Sequence, residues 1–264
     1  MLTQVNSISL AFNDQGTGLP LVFLHAFPLN RTMWADQEKA LSTQFHVITI
    51  DLRGHGESDA PLWHYSLDQA ADDVCGLLDH LAIKQAVFVG LSMGGYILFA
   101  FYRKYAERVK GMVLADTRAQ ADTEDGKRAR FEMAQIAYKQ GPRAIADIMI
   151  PKLLSPGTIQ TRPELVQRVR GMIEGNQVSG IAGDLMAMAE RFDSILLLQQ
   201  IVCPTHIIVG ELDLPTPPSD ARLMAERIPN ARLTIIPGAA HLSNLEQPEL
   251  FNESIRSFGS NLTR

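Results

Sequence analysis

Residues 86–95, which read AVFVGLSMGG, decide the fold of this chain. An apolar run leads into the pattern Gly90-x-Ser92-x-Gly94, and a helical pattern follows. A serine placed in this way between a buried strand and a helix is typical of a nucleophile elbow. Glycines are needed around it because side chains there would collide with the neighbouring strand and helix. The segment predicts that Ser92 is a nucleophile on a strained turn; a phosphate-binding loop is disfavoured because its lysine is missing.

Five other short apolar runs predict that the strand before Ser92 belongs to a parallel sheet. Each run is unbroken or nearly so, as expected of strands buried on both faces, and the runs span residues 21–24, 47–50, 112–115, 207–209 and 233–236. Helical patterns lie between them, one of which starts at a capping box formed by Ser66 and Gln69. This alternation predicts an α/β fold in which helices cover both faces of a mostly parallel sheet.

Two segments depart from this alternation. Residues 5–12 alternate partly between apolar and polar residues, and residues 13–16 have the composition of a turn, so an antiparallel hairpin is expected at the sheet edge. Residues 117–192 show helical patterns broken by glycine and proline, without a confident strand. We predict a core at 1–116 and 193–264, with residues 117–192 inserted between two strands as a helical cap.

The composition excludes several classes of protein. Of the 264 residues, 46% are hydrophobic and 20% are charged, so the chain can bury a core and is not intrinsically disordered. A net charge of −5 is not the basic footprint of a protein that binds nucleic acid or an anionic membrane. Two cysteines, Cys75 and Cys203, are too few for a disulfide scaffold. With no signal peptide or membrane-spanning run in the sequence, we expect a soluble cytoplasmic protein.

The base that would activate Ser92 is expected near the carboxyl end of the chain. A serine hydroxyl is a poor nucleophile unless an oriented base removes its proton, and in an elbow fold the chain order is serine, acid, histidine. The histidines after Ser92 are His206 and His241. His206 lies within a predicted strand and is expected to pack against the sheet. His241 follows the last predicted strand, where the ends of parallel strands form a site, so we predict that His241 is the base.

The acid that orients the base is expected at the end of an earlier strand. Asp213 follows the predicted strand at 207–209 and is the favoured residue. Asp116, at the end of the preceding strand, and Glu211 remain alternatives. Either of them would otherwise cap a loop.

An oxyanion hole needs two donors that point at one position. One is expected from the N–H of Met93, directly after the nucleophile, and the other from the loop that follows the strand at 21–24. In that loop we favour the N–H of Phe27 over that of Ala26, and the next residue is a proline without an N–H. His25 is expected to support the loop by hydrogen bonding rather than to act as a second base.

The segment DLRGHGES at 51–58 is interpreted as a structural loop. It lacks the third glycine of a dinucleotide-binding motif, and no helix opens on it. Arg53 and His55 are expected to bond to the neighbouring backbone. No histidine or cysteine spacing indicates a metal site, so neither a cofactor nor a metal is predicted.

Together these motifs resemble the α/β-hydrolase fold family, and the resemblance covers nearly the whole chain. The motifs occur in the expected order: HAFP (25–28), DLRGHGES (51–58), GLSMGG (90–95), GELDLPTP (210–217) and GAAHLSNLEQPE (238–249). The branches that are similar to 3-oxoadipate enol-lactonases and aryl esterases look closest, on HLSNLEQPE and on GIAGDLMAMAERFD (180–193). The resemblance implies a doubly wound, mostly parallel eight-stranded sheet, a helical cap after the sixth strand, and the triad Ser92, Asp213 and His241.

The resemblance also implies hydrolysis of a small-molecule carboxylic ester or lactone through an acyl-enzyme. Cofactor-free perhydrolysis and a triad-bearing small-molecule receptor are the alternatives, because the fold alone does not fix the reaction. One departure from the family is His25-Ala26 in place of His-Gly, where the added methyl is expected to narrow the acyl pocket or restrict the loop. Arginines near the predicted cap could clamp a dicarboxylate but are expected to be solvated helix charges: Arg118, Arg130 and Arg191.

Overall fold

The computed structural model describes residues 1–62 and 64–262. Its strands are β1 (Leu2–Val5), β2 (Ile8–Gln15), β3 (Pro20–Leu24), β4 (His46–Ile50), β5 (Ala86–Leu91), β6 (Val109–Ala115), β7 (Thr205–Gly210) and β8 (Arg232–Ile236). They form one eight-stranded sheet in the order β1-β2-β4-β3-β5-β6-β7-β8. Neighbours from β4 to β8 are parallel, whereas β1 and β2 run antiparallel at one edge. The predicted mostly parallel sheet is confirmed.

The helices of the described residues are α1 (Ala35–Leu41), α2 (Leu67–His80), α3 (Met93–Tyr105), α4 (Glu124–Leu153), α5 (Pro156–Thr161), α6 (Pro163–Glu174), α7 (Val178–Ala189), α8 (Pro218–Arg227), α9 (Ser243–Glu246) and α10 (Pro248–Leu262). Every residue of β5 and β7 is buried, which means that both faces of the sheet are covered, as uninterrupted apolar strands require. The Ser66 hydroxyl accepts a hydrogen bond from the Gln69 N–H and caps α2, but the predicted capping box forms only by half, because Oε1 of Gln69 has no hydrogen-bond partner among the described residues.

The edge hairpin forms, but its predicted turn at 13–16 is wrong. The turn is at Asn6 and Ser7, which join β1 to β2 with φ values of 46° and 67°. A two-residue hairpin turn needs this left-handed conformation, and asparagine adopts it more readily than most residues. The polar residues 13–15 instead continue β2 and pair antiparallel with β4. Polar side chains fit this end of the strand because they are partly exposed to solvent there.

Four helices, α4 to α7, lie between β6 and β7, and residues 117–192 contain no strand. The longest of them, α4, changes direction at Gly141, whose φ of 78° interrupts the helical backbone just before Pro142. The packing partners of α4 are α6 and α7. In the part of the chain that the structure describes, no helix is both long and apolar enough to cross a membrane.

Candidate active site

Ser92 stands on a sharp turn between β5 and α3. Its backbone angles, φ 54° and ψ −111°, are strained for a residue with a side chain. A Cβ at Gly90 would lie 2.5 Å from the carbonyl carbon of Gly94, and a Cβ at Gly94 would lie 2.3 Å from the carbonyl oxygen of Leu24. These contacts are too close for any side chain, so the turn can form only with glycine at both positions. The geometry matches the elbow predicted from the sequence.

The Ser92 carbonyl accepts hydrogen bonds from the first turn of α3 and from Thr117. The Ser92 carbonyl accepts from the N–H groups of Gly95 (2.9 Å) and Tyr96 (3.2 Å) and from the Thr117 hydroxyl (2.8 Å). The N–H of Met93 has no hydrogen-bond partner among the described residues. A helix amino terminus carries partial positive charge, which favours negative charge that develops beside Ser92.

His241 and Asp213 meet at the same end of the sheet. Both carboxylate oxygens of Asp213 lie 2.9 Å from Nδ1 of His241, and each residue is only 2% exposed. Thr216 holds the acid in place, since its N–H donates to Oδ1 (3.0 Å) and its hydroxyl to Oδ2 (2.7 Å). A carboxylate on Nδ1 keeps the proton on that nitrogen and leaves Nε2 free to accept one.

Ser92 and His241 share this end of the sheet because they follow the carboxyl ends of the parallel strands β5 and β8. Within the described residues no hydrogen bond joins the Ser92 hydroxyl to His241. Catalytic hydrogen bonds are often long in an enzyme without substrate and shorten in the complex. Ser92 is 9% exposed, so access to its hydroxyl is narrow.

The two alternative acids form hydrogen bonds with other groups, and none with His241, among the described residues. Asp116 is fully buried and accepts hydrogen bonds from the Gly210 N–H (2.7 Å) and from the Ser243 hydroxyl. Burial, together with the nearby charge of Asp213, raises the pKa of Asp116 well above its usual value. Glu211 accepts from the Gly238 N–H at 3.0 Å. Both carboxyl groups thus hold the loops around the histidine, which is the loop-capping role considered for them.

His25 supports the loop after β3, as predicted. Its Nδ1 donates to the Ala26 carbonyl (3.0 Å), and its Nε2 accepts from the Leu52 N–H (3.1 Å). Burial, with a smaller effect of His55, lowers the pKa of His25 well below its usual value. The ring is therefore neutral and already bonded at both nitrogens, which is incompatible with a second catalytic base.

The same loop distinguishes the two candidate oxyanion donors. The N–H of Ala26 is engaged with the sulfur of Met33 at 3.3 Å. The N–H of Phe27 has no partner among the described residues. Phe27 rather than Ala26 thus has the N–H that is available to a ligand.

Segment 51–58 is a structural loop, but the expected backbone partners of Arg53 and His55 are wrong. Arg53 forms two hydrogen bonds to the Asp73 carboxylate (2.6 and 2.8 Å) on α2. Nε2 of His55 lies 2.7 Å from the Asp184 carboxylate on α7. Both pairs are buried, where a charged or polar side chain needs a polar partner, and carboxylates distant in the sequence supply it here.

The three arginines considered for a dicarboxylate clamp are all paired with one carboxylate, and the expectation of a solvated charge is wrong for Arg191, which is buried; Arg118 and Arg130 are half-buried. Arg118 (2.8 Å), Arg191 (2.9 Å) and Arg130 all form ion pairs with Asp122. Only 4% of the Arg191 side chain is exposed. Burial raises the pKa of Asp122, but the neighbouring arginines, above all Arg130, lower it by more than burial raises it. The pKa of Asp122 is therefore below its usual value. Asp122 carries one negative charge and the three arginines carry three positive charges, so this group of four side chains has a net charge of +2.

A cavity of about 270 Å³ lies next to this cluster, between α3 and the segment that follows α7. Its lining includes Tyr96, Phe99, Arg118, Arg191 and Phe192. None of the described lining residues belongs to the group Ser92, Asp213 and His241. The cavity is thus separate from the candidate catalytic residues.

The chain matches the alpha/beta hydrolase fold family over residues 20–248. It belongs to the α/β-hydrolase fold family. This α/β-hydrolase is 34% identical over 237 residues to 3-oxoadipate enol-lactonase 2 of Acinetobacter baylyi, an alignment that covers 90% of this chain and 87% of that protein. The predicted family and its implied similarity to enol-lactonases are confirmed.

Two solved structures are similar over nearly the full length of the α/β-hydrolase. A thermophilic esterase from Thermogutta terrifontis, with malate bound, has a TM-score of 0.97 and 40% identity, covering 100% of this chain and 99% of that one. The enol-lactonase from Burkholderia xenovorans has a TM-score of 0.93 and 30% identity, covering 98% and 100%. The fold prediction is confirmed, and the chain is an enzyme of this family.

Thr216 holds the Asp213 carboxylate, a contact that the sequence motifs do not predict because none of them includes a partner for the candidate acid. A local signal exists: Asp213 precedes Thr216 by three residues, and aspartate side chains commonly accept hydrogen bonds from backbone N–H groups a few residues ahead. Asn176, which bonds to the loop after β3, has no such local signal.

Proposed function

We propose that this α/β-hydrolase cleaves small carboxylic esters or lactones through an acyl-enzyme formed on Ser92. The observation that carries the proposal is the contact between Asp213 and His241 at the sheet end where Ser92 occupies its strained turn. Acyl transfer needs this combination of nucleophile, base and orienting acid. The relatives over most of the chain, enol-lactonases and an esterase, support the same reaction class.

In the first half of the reaction, Oγ of Ser92 attacks the substrate carbonyl carbon while Nε2 of His241 takes the hydroxyl proton. The carbonyl electron pair moves to oxygen and forms a tetrahedral oxyanion. When the oxyanion collapses, the bond to the leaving alkoxide breaks and His241 gives its proton to that alkoxide. Water then attacks the acyl-enzyme by the same steps, which releases the carboxylic acid and restores Ser92.

Backbone donors stabilise the oxyanion in this proposal. The N–H groups of Met93 and Phe27 are free of other partners among the described residues, and Met93 begins helix α3. Donors fixed in a water-poor site stabilise developing charge without reorganising, and removal of one typically slows such reactions about 10² to 10³-fold. In this proposal the Asp213 carboxylate orients the His241 ring and stabilises the imidazolium that forms.

The same chemistry applies to a lactone, which is an internal ester whose alkoxide stays tethered to the acyl group. We propose that residues 117–192 act as a cap that limits the size of the acyl group, since Ser92 is only 9% exposed. A cytoplasmic location is also proposed, because Cys75 and Cys203 are both unpaired and buried.

The test is a panel of p-nitrophenyl esters of increasing acyl length, with simple lactones and an enol-lactone included. We expect hydrolysis of at least one class by the wild type, and loss of that activity in the Ser92→Ala variant. Wild-type protein that hydrolyses none of them would overturn the proposal. Bromide-dependent halogenation with hydrogen peroxide, measured in parallel, would favour perhydrolysis if it exceeded hydrolysis.

A further inference from the structure

Asn176 connects the helical segment α4–α7 to two loops of the core. It lies in the turn between α6 and α7 and is 4% exposed. Its Nδ2 donates to the carbonyl oxygens of Pro28 (2.8 Å) and Leu29 (3.2 Å), and its Oδ1 accepts from the Gly56 N–H (2.8 Å). Three of the four hydrogen bonds available to the amide are made, so its orientation is fixed.

The helix that follows Asn176 is closely packed on the same part of the core. A Cβ at Gly180 in α7 would lie 1.8 Å from the Gly54 carbonyl oxygen, so the two backbones are in direct contact. One turn further along, Asp184 bonds to Nε2 of the buried His55. The backbone contact at Gly180 and the buried pair of Asp184 with His55 fix the position of α7 on the core. Asn176, which directly precedes this helix, is therefore fixed relative to the two loops.

The bonds from Asn176 fix the downstream side of the loop that contains Phe27. Upstream, the loop is held by His25 and by the bond from the Ala26 N–H to the Met33 sulfur. Downstream, the contacts of the loop with the helical segment include the bonds of Asn176 to the carbonyls directly after Phe27. The peptide N–H of Phe27 is thus held between two anchored points.

We propose that Asn176 is a positioning residue for the oxyanion hole, which aims the Phe27 N–H by holding the Pro28 and Leu29 carbonyls. This inference rests on the proposed function, because it assigns a role within that reaction. Asn176 does not touch the reacting atoms. Its loss is expected to weaken binding of the transition state more than binding of the substrate, since the oxyanion exists only after attack.

The test compares Asn176→Asp and Asn176→Ala with the wild type on the best p-nitrophenyl ester. Aspartate keeps the acceptor for Gly56 but loses both donors and sets a carboxylate against two carbonyl oxygens. We expect kcat to fall about 10- to 100-fold and KM to change less than about threefold in each variant, because a small misplacement of a catalytic donor is costly.

The inhibition constant of a trifluoromethyl ketone tests the oxyanion hole itself. Oγ of Ser92 adds to the carbonyl carbon of the ketone while His241 takes the hydroxyl proton, and the carbonyl oxygen of the resulting hemiketal becomes an oxyanion in the hole. We expect the inhibition constant to rise by about the factor by which kcat/KM falls. The matched control is Ser179→Ala: the Ser179 hydroxyl also joins α7 to the core, through the Ala60 carbonyl (3.2 Å), and is not among the described hydrogen-bond partners of residues 25–29. It should leave kcat and the inhibition constant unchanged.

The outcomes separate this inference from the proposed function. If the wild type is active and a folded Asn176 variant, judged by its thermal unfolding, keeps kcat and inhibitor affinity, the inference is wrong and the proposed function stands. A rise in KM alone would also contradict it, since that result indicates a substrate contact. If the wild type hydrolyses no ester or lactone, both are overturned.

Discussion

Both carboxylate oxygens of Asp213 lie 2.9 Å from Nδ1 of His241. This contact keeps the proton on Nδ1 and leaves Nε2 able to accept one, as the proposed function requires of the base. In the Asp213→Asn variant the amide can donate to Nδ1, which moves the proton to Nε2 and blocks proton transfer. We expect kcat for ester hydrolysis to fall roughly 10⁴-fold. The control is Glu211→Gln, which keeps an acceptor for the Gly238 N–H and should retain wild-type kcat. Equal losses in both variants would contradict the assignment.

Asp116 should make the protein less stable as the pH rises. Its pKa in the folded protein is raised above the usual 3.8 by burial and by Asp213. The folded state then binds a proton more tightly than the unfolded state, so the free energy of unfolding falls as the pH increases from about 3.8 through the raised pKa.

The Asp116→Asn variant cannot ionise but keeps an oxygen for the Gly210 N–H. We expect its free energy of unfolding, measured with urea at several pH values, to fall less with increasing pH than that of the wild type. Parallel pH curves for the two proteins would show that Asp116 does not titrate in this way.

The elbow should not tolerate a side chain at Gly94. A Cβ there would lie 2.3 Å from the Leu24 carbonyl oxygen, and backbone cannot move aside cheaply. We expect Gly94→Ala to abolish hydrolysis and lower the melting temperature by several degrees or more. The matched control is Gly171→Ala in α6, where nothing lies within 4 Å of the added carbon. That change should keep activity and stabilise the protein by about 0.5–1 kcal/mol.

The cluster around Asp122 should matter for stability rather than for catalysis. Removing its charge in Asp122→Asn leaves three guanidinium groups, one of them almost fully buried, without a carboxylate. We expect the free energy of unfolding to drop by about 3 kcal/mol. Because the pKa of Asp122 is lowered, the stabilisation exists above the usual carboxyl pKa and is lost as the pH falls through the lowered value.

A control for the Asp122 variant is Asp125→Asn, whose partner Arg128 is exposed, since exposed ion pairs contribute little. Its urea unfolding curve should overlay that of the wild type. If Asp122→Asn unfolds at the wild-type urea concentration, the cluster does not stabilise the fold.

Features with local signals could be predicted from the sequence. The strands follow from apolar runs, and the Ser92 turn follows from glycines within two residues of it. The chain order of an elbow fold, together with the position of His241 after the last predicted strand, then favours His241 over His206 as the base. The choice of Asp213 as the candidate acid is less direct, because Asp116 and Glu211 also follow strand ends; in the structure, Asp213 contacts Nδ1 of His241.

Two kinds of feature could not be predicted. The first is the hairpin turn at Asn6-Ser7, which lacks the glycine that usually marks such turns, so the more polar residues 13–16 are predicted as the turn. The second is contacts between residues far apart in the sequence. The partner of His55 is 129 residues away, and that of Gly56 is 120 residues away. No periodicity or motif in the sequence encodes such pairs; they depend on how the inserted helices dock on the core.

Covalent labelling shows whether Ser92 is the nucleophile. The intact protein is incubated with a fluorophosphonate, and its mass and labelled peptide are measured by mass spectrometry. We expect one phosphonyl group, located on Ser92, in the wild type, and no added mass in the Ser92→Ala variant. An unlabelled wild type, or a label on another residue that persists in Ser92→Ala, would rule out Ser92 as the nucleophile.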